Sequence, residues 1–261
     1  MADNQGVNRV WTGVWVVALA ALGAVFAWFA TTDRDAQALG GTPTEALEPE
    51  IKKEAPEVAR FPGNGYELAQ VRAGESVEIF DRPGGDSVGR LGPRTEFDSP
   101  RVFPVLEPGK RWLSVAAPEF GNGVPGWVRY DPDKLALGDT QISLFVELSD
   151  RTMELRHGEE VIREATVSIG RAGAETPVGR FAVTDRIVRG LDPVYGAGAI
   201  ALSARQPNLP EDWPGGDRIA IHGWAGPVGD AASGGCLRAN DEDIEALIER
   251  LPLGAPVFIE N

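Results

Sequence analysis

The sequence predicts a mainly β protein with one amphipathic helix near its carboxyl end and a membrane-spanning helix near its amino end. Short runs of alternating apolar and polar residues, separated by Gly and Pro, recur from about residue 66 onwards. The stretch 240–251 repeats its apolar residues at helical spacing. Residues 10–30 contain no charged side chain. These three observations divide the chain into an anchor, a linker and two β domains.

The segment 10–30 is long enough to cross a membrane. Its 21 residues, at ~1.5 Å each, match a hydrocarbon core of ~30 Å. Trp11 and Trp28 lie near its ends, as in an interfacial aromatic belt. A cleaved signal peptide is the alternative, but its apolar stretch is usually only ~7–15 residues long. We expect an uncleaved, single-pass anchor in the cell membrane, with residues 1–9 in the cytoplasm and the later residues outside it.

Residues 31–62 are predicted to form a linker. Prolines at positions 43, 49, 56 and 62 interrupt a run rich in Glu, Lys and Ala. This segment has too few large apolar residues to form a core, and its proline content favours a semi-extended chain. The linker would hold the following domains away from the membrane.

Residues 63–138 are predicted to form a small β-barrel. Strand-like stretches at 76–80, 112–115 and 126–128 are separated by Pro-Gly and Gly-Pro turns. The Trp-Leu-Ser-Val strand and the closing Gly-Trp-Val strand resemble those of a bacterial SH3-like domain. The resemblance implies binding to cell wall or peptide. The alternative is a spacer domain whose tryptophans belong to its core.

Residues 140–261 are predicted to form a second, mostly antiparallel β domain with one helix. Asn240 is placed to cap that helix, acidic residues fill its first turn, and Gly254 is expected to end it. His157 falls in a turn between two strands, which argues against a catalytic role for it. The predicted strands are 142–148, 152–156, 161–169, 180–184, 199–203, 218–222 and 256–259.

Composition excludes several classes of function. The 25 Lys and Arg against 39 Asp and Glu give a formal net charge of −14. Nucleic-acid binding requires a basic face, so we expect no nucleic-acid partner. One cysteine cannot form an internal disulfide, and no group of Cys and His has metal-ligand spacing. We therefore expect no metal site and no cofactor.

The single cysteine, Cys236, lies in a setting that suits a nucleophile. A thiol with the ordinary pKa of ~8.5 needs a base to become reactive near neutral pH. His222, one of only two histidines, lies 14 residues upstream. Gly234 and Gly235 precede the sulfur and allow a sharp turn, and Arg238 follows it. A buried, inert cysteine is the alternative for a lone thiol, but the combination favours cysteine acyl transfer.

Motifs in this region resemble the L,D-transpeptidase catalytic domain of the YkuD type. The similarity covers roughly residues 141–261 and depends on motifs that occur in the family's order. These are Ser-Ile-Gly at 168–170, Thr-Pro-Val-Gly-Arg-Phe at 176–181, Ile-His-Gly at 221–223 and Ser-Gly-Gly-Cys-Leu-Arg at 233–238. The resemblance implies a β-sandwich with one carboxyl-terminal helix.

The resemblance also implies roles for the residues around the thiol. Cys236 would attack a stem-peptide carbonyl, with His222 as general base and the carbonyl of Gly223 orienting the imidazole. The backbone N–H groups of Gly235 and Cys236 would bind the oxyanion. Ser233 would shape the loop.

Two further residues are assigned to the substrate, and one position departs from the family pattern. Arg238 would bind a substrate carboxylate or brace the site through charged hydrogen bonds. Tyr195 would line the groove, which residues 190–217 help to form. Many family members have His where this chain has Gly234. This difference leaves any auxiliary role of a second active-site histidine in doubt.

The function implied is a peptidoglycan L,D-transpeptidase on the cell-wall side of the membrane. It would form a thioester on Cys236 with a stem peptide and transfer the acyl group to an amine of another stem. Two alternatives remain. One is an L,D-carboxypeptidase that uses the same site with water as acceptor. The other is a catalytically silent scaffold that binds the wall through the SH3-like domain.

Overall fold

The computed structural model describes residues 65–209 and 216–261. The predicted cytoplasmic tail (1–9), membrane span (10–30) and linker (31–62) lie outside these residues. Within the two described ranges, no helix combines the length and the apolar character needed to cross a membrane.

The first domain is a seven-stranded antiparallel sheet. Its strand order is β3-β2-β6-β5-β4-β1-β7. The predicted stretches 76–80, 112–115 and 126–128 fall on β2, β5 and β6. The strands are β1 (Tyr66–Val71), β2 (Val77–Phe80), β3 (Ser87–Leu91), β4 (Val102–Glu107), β5 (Trp112–Val115), β6 (Gly126–Arg129) and β7 (Leu135–Thr140).

Aliphatic residues and Phe103 fill the core of this domain. Leu113, Val115 and Val128 are almost completely buried in β5 and β6. Trp112 is only half-buried and meets Phe80 edge-on, with ring centroids 5.1 Å apart. The tryptophan of β5 therefore lies at the margin of the core, because the strand's alternation turns Leu113 inward.

The second domain is mainly β, with one helix near the carboxyl end. Its main sheet has the order β10-β9-β8-β17-β12-β13-β14-β16, in which only β8–β17 and β14–β16 are parallel. Strands β11 and β15 form a separate parallel pair. The elements are β8 (Ile142–Glu147), β9 (Thr152–His157), β10 (Glu160–Thr166), β11 (Ile169–Gly170), β12 (Gly179–Ile187), β13 (Ala199–Arg205), β14 (Arg218–Gly223), β15 (Ala231–Ser233), β16 (Leu237–Ala239), α1 (Asp241–Arg250) and β17 (Pro256–Glu260).

The eight strands of the main sheet follow one continuous order, in which the long strand β12 is shared between two halves. The first half of the long strand β12 pairs with β17, and its second half pairs with β13. Ser168, two residues beyond β10, forms two backbone hydrogen bonds of 2.8 and 3.0 Å with Arg238 of β16. These bonds join the two ends of the strand order around one hydrophobic cluster.

Helix α1 starts where the sequence predicts but ends earlier. Asn240 is its N-cap, although no side-chain cap bond forms, and Ile244 and Leu247 are buried against the sheet. The helix ends at Arg250, and Gly254 does not end it. Gly254 has a φ of +80°, and a Cβ there would lie 2.6 Å from a methyl of Val102 in the first domain. Gly254 is therefore a point of close domain contact.

Candidate active site

The parallel pairing of β14 with β16 places His222, the predicted base, beside the loop that carries Cys236. This loop, residues 233–236, is called the cysteine loop below. The Cα register pairs Ile221 with Leu237 and His222 with Arg238. Ile221 and Leu237 are 0% exposed in the core, so their neighbours His222 and Arg238 face the other side of the sheet. Cys236 directly precedes β16 and is half-buried. The alternation of two strands thus sets the site on one face.

His222 is a buried imidazole with one nitrogen held by the backbone. It is 5% exposed, and its Nδ1 lies 2.7 Å from the carbonyl oxygen of Gly223. A carbonyl accepts only, so Nδ1 carries the proton and Nε2 keeps a lone pair. Burial lowers the pKa of His222; the Gly223 bond opposes this shift, and the charge of Arg238 adds to it. The imidazole is therefore neutral and ready to accept a proton near pH 7.

Cys236 is held as a thiol in the resting site. Burial raises its pKa, while a hydrogen bond with the Ala220 backbone and the positive charge of Arg238 act in the opposite direction. Removing the thiol proton near neutral pH therefore requires a base, and His222 has the required tautomer.

The ring of Tyr195 contacts the imidazole of His222. Its ring lies edge-on to the imidazole, with centroids 4.9 Å apart and an interplanar angle of 64°. Burial raises the pKa of the Tyr195 phenol, and the negative charge of Asp192, together with that of Cys236 whenever its thiol is ionised, acts in the same direction. The predicted lining residue is thus a neutral phenol close to both catalytic candidates.

The start of helix α1 positions the loop that carries Tyr195. Oδ1 of Asp241 accepts a hydrogen bond of 2.9 Å from the backbone N–H of Ala197. A Cβ on Gly223 would lie 2.2 Å from that same oxygen, so only glycine fits there. Asp241 is one of the acidic residues of the helix's first turn, and no sequence motif indicates its contact with Ala197.

Ser233 closes the cysteine loop through its hydroxyl. Its Oγ donates to the carbonyl of Cys236 at 2.6 Å and accepts from the N–H of Gly235 at 3.0 Å. The Gly235 N–H, which the sequence resemblance assigns to the oxyanion, is thus bonded to Ser233 in this conformation. The loop-shaping role expected for Ser233 corresponds to these two bonds.

Arg238 is held by stacking on an aromatic ring. Its Cζ lies 4.0 Å from the centroid of Trp224, and its Nε is buried without a hydrogen-bond partner among the described residues. A guanidinium fixed in this way can bind a carboxylate bidentately. Trp224, two residues after His222, carries no motif that would have marked it beforehand.

Three further expectations from the sequence concern His157, the groove at 190–217 and metal binding. His157 ends β9 and is exposed, whereas the site lies on β14 and β16, at the other end of the sheet's strand order. Of the predicted groove 190–217, the segment around Tyr195 reaches His222, and residues 210–215 are outside the described ranges. No three His, Cys, Asp or Glu side chains within the described ranges are grouped to hold a metal.

Comparison with known proteins relates this domain to one family. The family model of the YkuD L,D-transpeptidase catalytic domain matches residues 141–259. The putative L,D-transpeptidase YkuD of Bacillus licheniformis is 28% identical over 116 residues, which cover 44% of this chain and 62% of that protein. The Bacillus subtilis protein of the same name is 27% identical over 118 residues, covering 44% and 64%.

The chain therefore spans somewhat under two thirds of each of these relatives' lengths. Among solved structures, Bd1075 of Bdellovibrio bacteriovorus aligns with a TM-score of 0.37 and 25% identity, covering 46% of this chain and 48% of that one. Residues 141–259 are thus similar in sequence to the L,D-transpeptidase catalytic domain.

Proposed function

We propose that this protein is a peptidoglycan L,D-transpeptidase that uses Cys236 as nucleophile and His222 as general base. The observation that carries the proposal is the His222 imidazole. It is buried, kept neutral, and fixed by Gly223 so that Nε2 can accept a proton. This base lies on β14, which pairs with the strand directly after Cys236, within a domain that matches the L,D-transpeptidase family model.

The reaction follows from these protonation states. Nε2 of His222 takes the thiol proton as Sγ of Cys236 attacks the carbonyl of a stem peptide. The tetrahedral intermediate collapses to a thioester, and the imidazolium returns the proton to the departing amine. An amine of a second stem then attacks the thioester and gives its proton to His222. The thiolate leaves and is reprotonated, which restores the resting site.

The remaining groups act on charge and orientation. The backbone N–H of Cys236 is the proposed oxyanion donor, because that of Gly235 is bonded to Ser233. Arg238, whose guanidinium lies over the Trp224 ring, is proposed to bind a carboxylate of the stem peptide. Tyr195 lines the site beside His222.

The decisive experiment is product analysis with purified muropeptides and the full-length protein. We expect cross-linked products from the wild-type protein and none from Cys236→Ala. Hydrolysed stems alone would instead assign an L,D-carboxypeptidase. Turnover by the folded Cys236→Ala variant would exclude the thioester mechanism, and an inactive wild-type protein would favour a silent scaffold. Intact-mass measurement should also show a carbapenem adduct on Cys236.

We also propose that residues 63–138 form an SH3-like domain and that residues 10–30 anchor the protein in the cell membrane. The antiparallel order of short strands and the uncharged run support these two proposals. The catalytic domain would then lie on the cell-wall side. We expect the protein in the membrane fraction, with its carboxyl-terminal domain degraded by protease added to spheroplasts. Protection from that protease would contradict the proposed orientation.

A further inference from the structure

We propose that Gln206 is a positioning residue for Cys236 and that Asn122 of the first domain holds Gln206 in place. The proposal rests on the function proposed for Cys236. Gln206 directly follows β13 and has no role in the sequence motifs of the catalytic domain. It bonds to the loop that carries Cys236, and its neighbour Arg205 bonds to the first domain.

Gln206 is buried, and all three hydrogen bonds of its side-chain amide are to backbone atoms. It is 5% exposed. Its Nε2 donates to the carbonyls of Glu175 at 3.1 Å and Gly234 at 3.0 Å. Its Oε1 accepts from the N–H of Asn208 at 3.1 Å. Rotating the amide would place an oxygen against two carbonyls, so only one orientation satisfies the site.

The Gln206 amide and the Thr176 hydroxyl together fix the two peptide planes that precede Cys236. Gln206 holds the carbonyl of Gly234, whose plane carries the N–H of Gly235. Oγ1 of Thr176 donates to the carbonyl of Gly235 at 2.9 Å. The Gly235 carbonyl and the Cys236 N–H belong to one planar trans peptide and point in opposite directions. Fixing the carbonyls therefore aims the proposed oxyanion donor.

Asn122 holds the residue next to Gln206. Its Nδ2 donates to the carbonyl of Arg205 at 2.7 Å, and its Oδ1 accepts from the Arg205 N–H at 2.8 Å. The Arg205 Nε adds a bond of 2.8 Å to the carbonyl of Pro118, four residues before Asn122. The first domain thus satisfies both backbone groups of the last residue of β13.

This arrangement gives the first domain a part in the geometry of the site. Asn122 is connected to the loop before Cys236 in three steps. It bonds to Arg205, Arg205 is joined to Gln206 by a peptide bond, and the side-chain amide of Gln206 bonds to Gly234. Loss of the Asn122 contact would leave both backbone groups of Arg205 without that partner and let the Gln206 amide shift, even though the Gln206 N–H keeps its 2.7 Å bond to the carbonyl of Asp217. A shift of about 1 Å at a catalytic group can cost ~10²-fold in rate.

The test compares Asn122→Ala, Gln206→Ala and Thr95→Val in the full-length protein. Thr95→Val is the matched control, because Thr95 donates to Asp185 of β12 across the same domain interface and does not contact Arg205 or Gln206. Stem-peptide turnover gives kcat and KM. Cys236 is the only cysteine in the chain, so iodoacetamide alkylation followed by mass spectrometry reports on its thiol alone. Thermal unfolding verifies that each variant folds.

We expect Asn122→Ala and Gln206→Ala to lower kcat ~10- to 100-fold with KM changed less than about twofold. Alkylation near pH 7 should become faster in both, because a loosened loop relieves the burial that raises the thiol pKa. Thr95→Val should lower the unfolding temperature and leave kcat and alkylation within about twofold of wild type. Asn122→Asp, which keeps only the acceptor for the Arg205 N–H, should give an intermediate kcat.

Two results would overturn the proposal. One is a folded Gln206→Ala variant with wild-type kcat and alkylation rate. The other is a Thr95→Val variant that loses as much kcat as Asn122→Ala, since the effect would then be general destabilisation. If the wild-type protein does not process stem peptides, the proposed function fails separately. The alkylation profiles would still decide whether Asn122 and Gln206 position the thiol.

Discussion

Replacing Gly235 by alanine tests whether the loop before Cys236 requires glycine. Gly235 has a φ of +117°, and an added Cβ would lie 2.2 Å from Nε2 of Gln206. The adjacent Gly234 is the matched control, because its backbone is not left-handed and its added Cβ would approach no atom closer than Nη1 of Arg171 at 4.0 Å. We expect Gly235→Ala to damage the site and Gly234→Ala to leave it intact.

The expected cost can be summed from the contacts that would be lost. A non-glycine residue at such a φ costs ~1–3 kcal/mol. Displacing the Gln206 amide breaks its bonds to the carbonyls of Glu175 and Gly234, each contributing ~0.5–1.5 kcal/mol. The free energy of unfolding should therefore fall by ~2–6 kcal/mol, which lowers the Tm by ~4–24 °C for a body of this size. Gly234→Ala should stay within ~0.5 kcal/mol.

Thermal unfolding followed by circular dichroism measures the stability change, and muropeptide turnover measures the catalytic one. Gly235→Ala should lose at least about tenfold in kcat at temperatures where it is folded, because the Cys236 peptide plane moves. Gly234→Ala should stay within about twofold. Equal Tm and equal turnover of the two variants would refute the proposed fit of Gln206 against Gly235.

Three further predictions concern the groups around the thiol. The reactive form has a neutral His222 and a protonated Cys236 thiol. The acid limb of the kcat/KM profile should therefore lie below the ordinary imidazole pKa of ~6.5, and the basic limb above the ordinary thiol pKa of ~8.5. A pH–rate profile with its acid limb above ~6.5 would contradict this assignment. Arg238→Gln should raise KM ~10- to 100-fold for stem peptides that carry the bound carboxylate, and an unchanged KM would refute that role. The same substitution should raise the pKa values of Cys236 and His222, because the charge of Arg238 lowers both. Asp241→Ala should lower kcat, because it removes the acceptor of the Ala197 N–H and so releases the loop that carries Tyr195. Asp241→Asn retains an acceptor oxygen and should keep most of the wild-type kcat. Equal kcat for the two variants would exclude positioning by the Asp241–Ala197 hydrogen bond.

The sequence predicts most of the secondary structure because alternation follows burial closely. Strands β8, β9, β13 and β14 lie within a few residues of their predicted limits. Two features were not predictable in this way. Strand β12 pairs with one neighbour through its first half and another through its second, a tertiary choice that leaves no periodic pattern. Gly254 looks like a helix terminator but is a contact with Val102 of the first domain.

Some residues of the candidate site can be predicted from the sequence, and others cannot. Cys236, His222 and Arg238 are predictable from side-chain chemistry and motif order, since few residue types can do that chemistry. Gln206 and Asn122 are not, because they act on backbone atoms. Asn122 and Arg205 are 83 residues apart, and any residue type could supply the backbone groups of Arg205. The sequence carries no constraint visible at those positions.

The two ways in which the site is held predict different tolerance to substitution. Hydrogen bonds from Thr176 and Gln206 hold the main chain before Cys236, and each has one geometry that satisfies a buried carbonyl. Stacking on Trp224 holds Arg238, and another aromatic ring can supply a similar face. Thr176→Val keeps the shape of its side chain but loses the donor. It should therefore impair turnover more than Trp224→Phe does, although Trp224 contacts Arg238, the residue proposed to bind the substrate carboxylate.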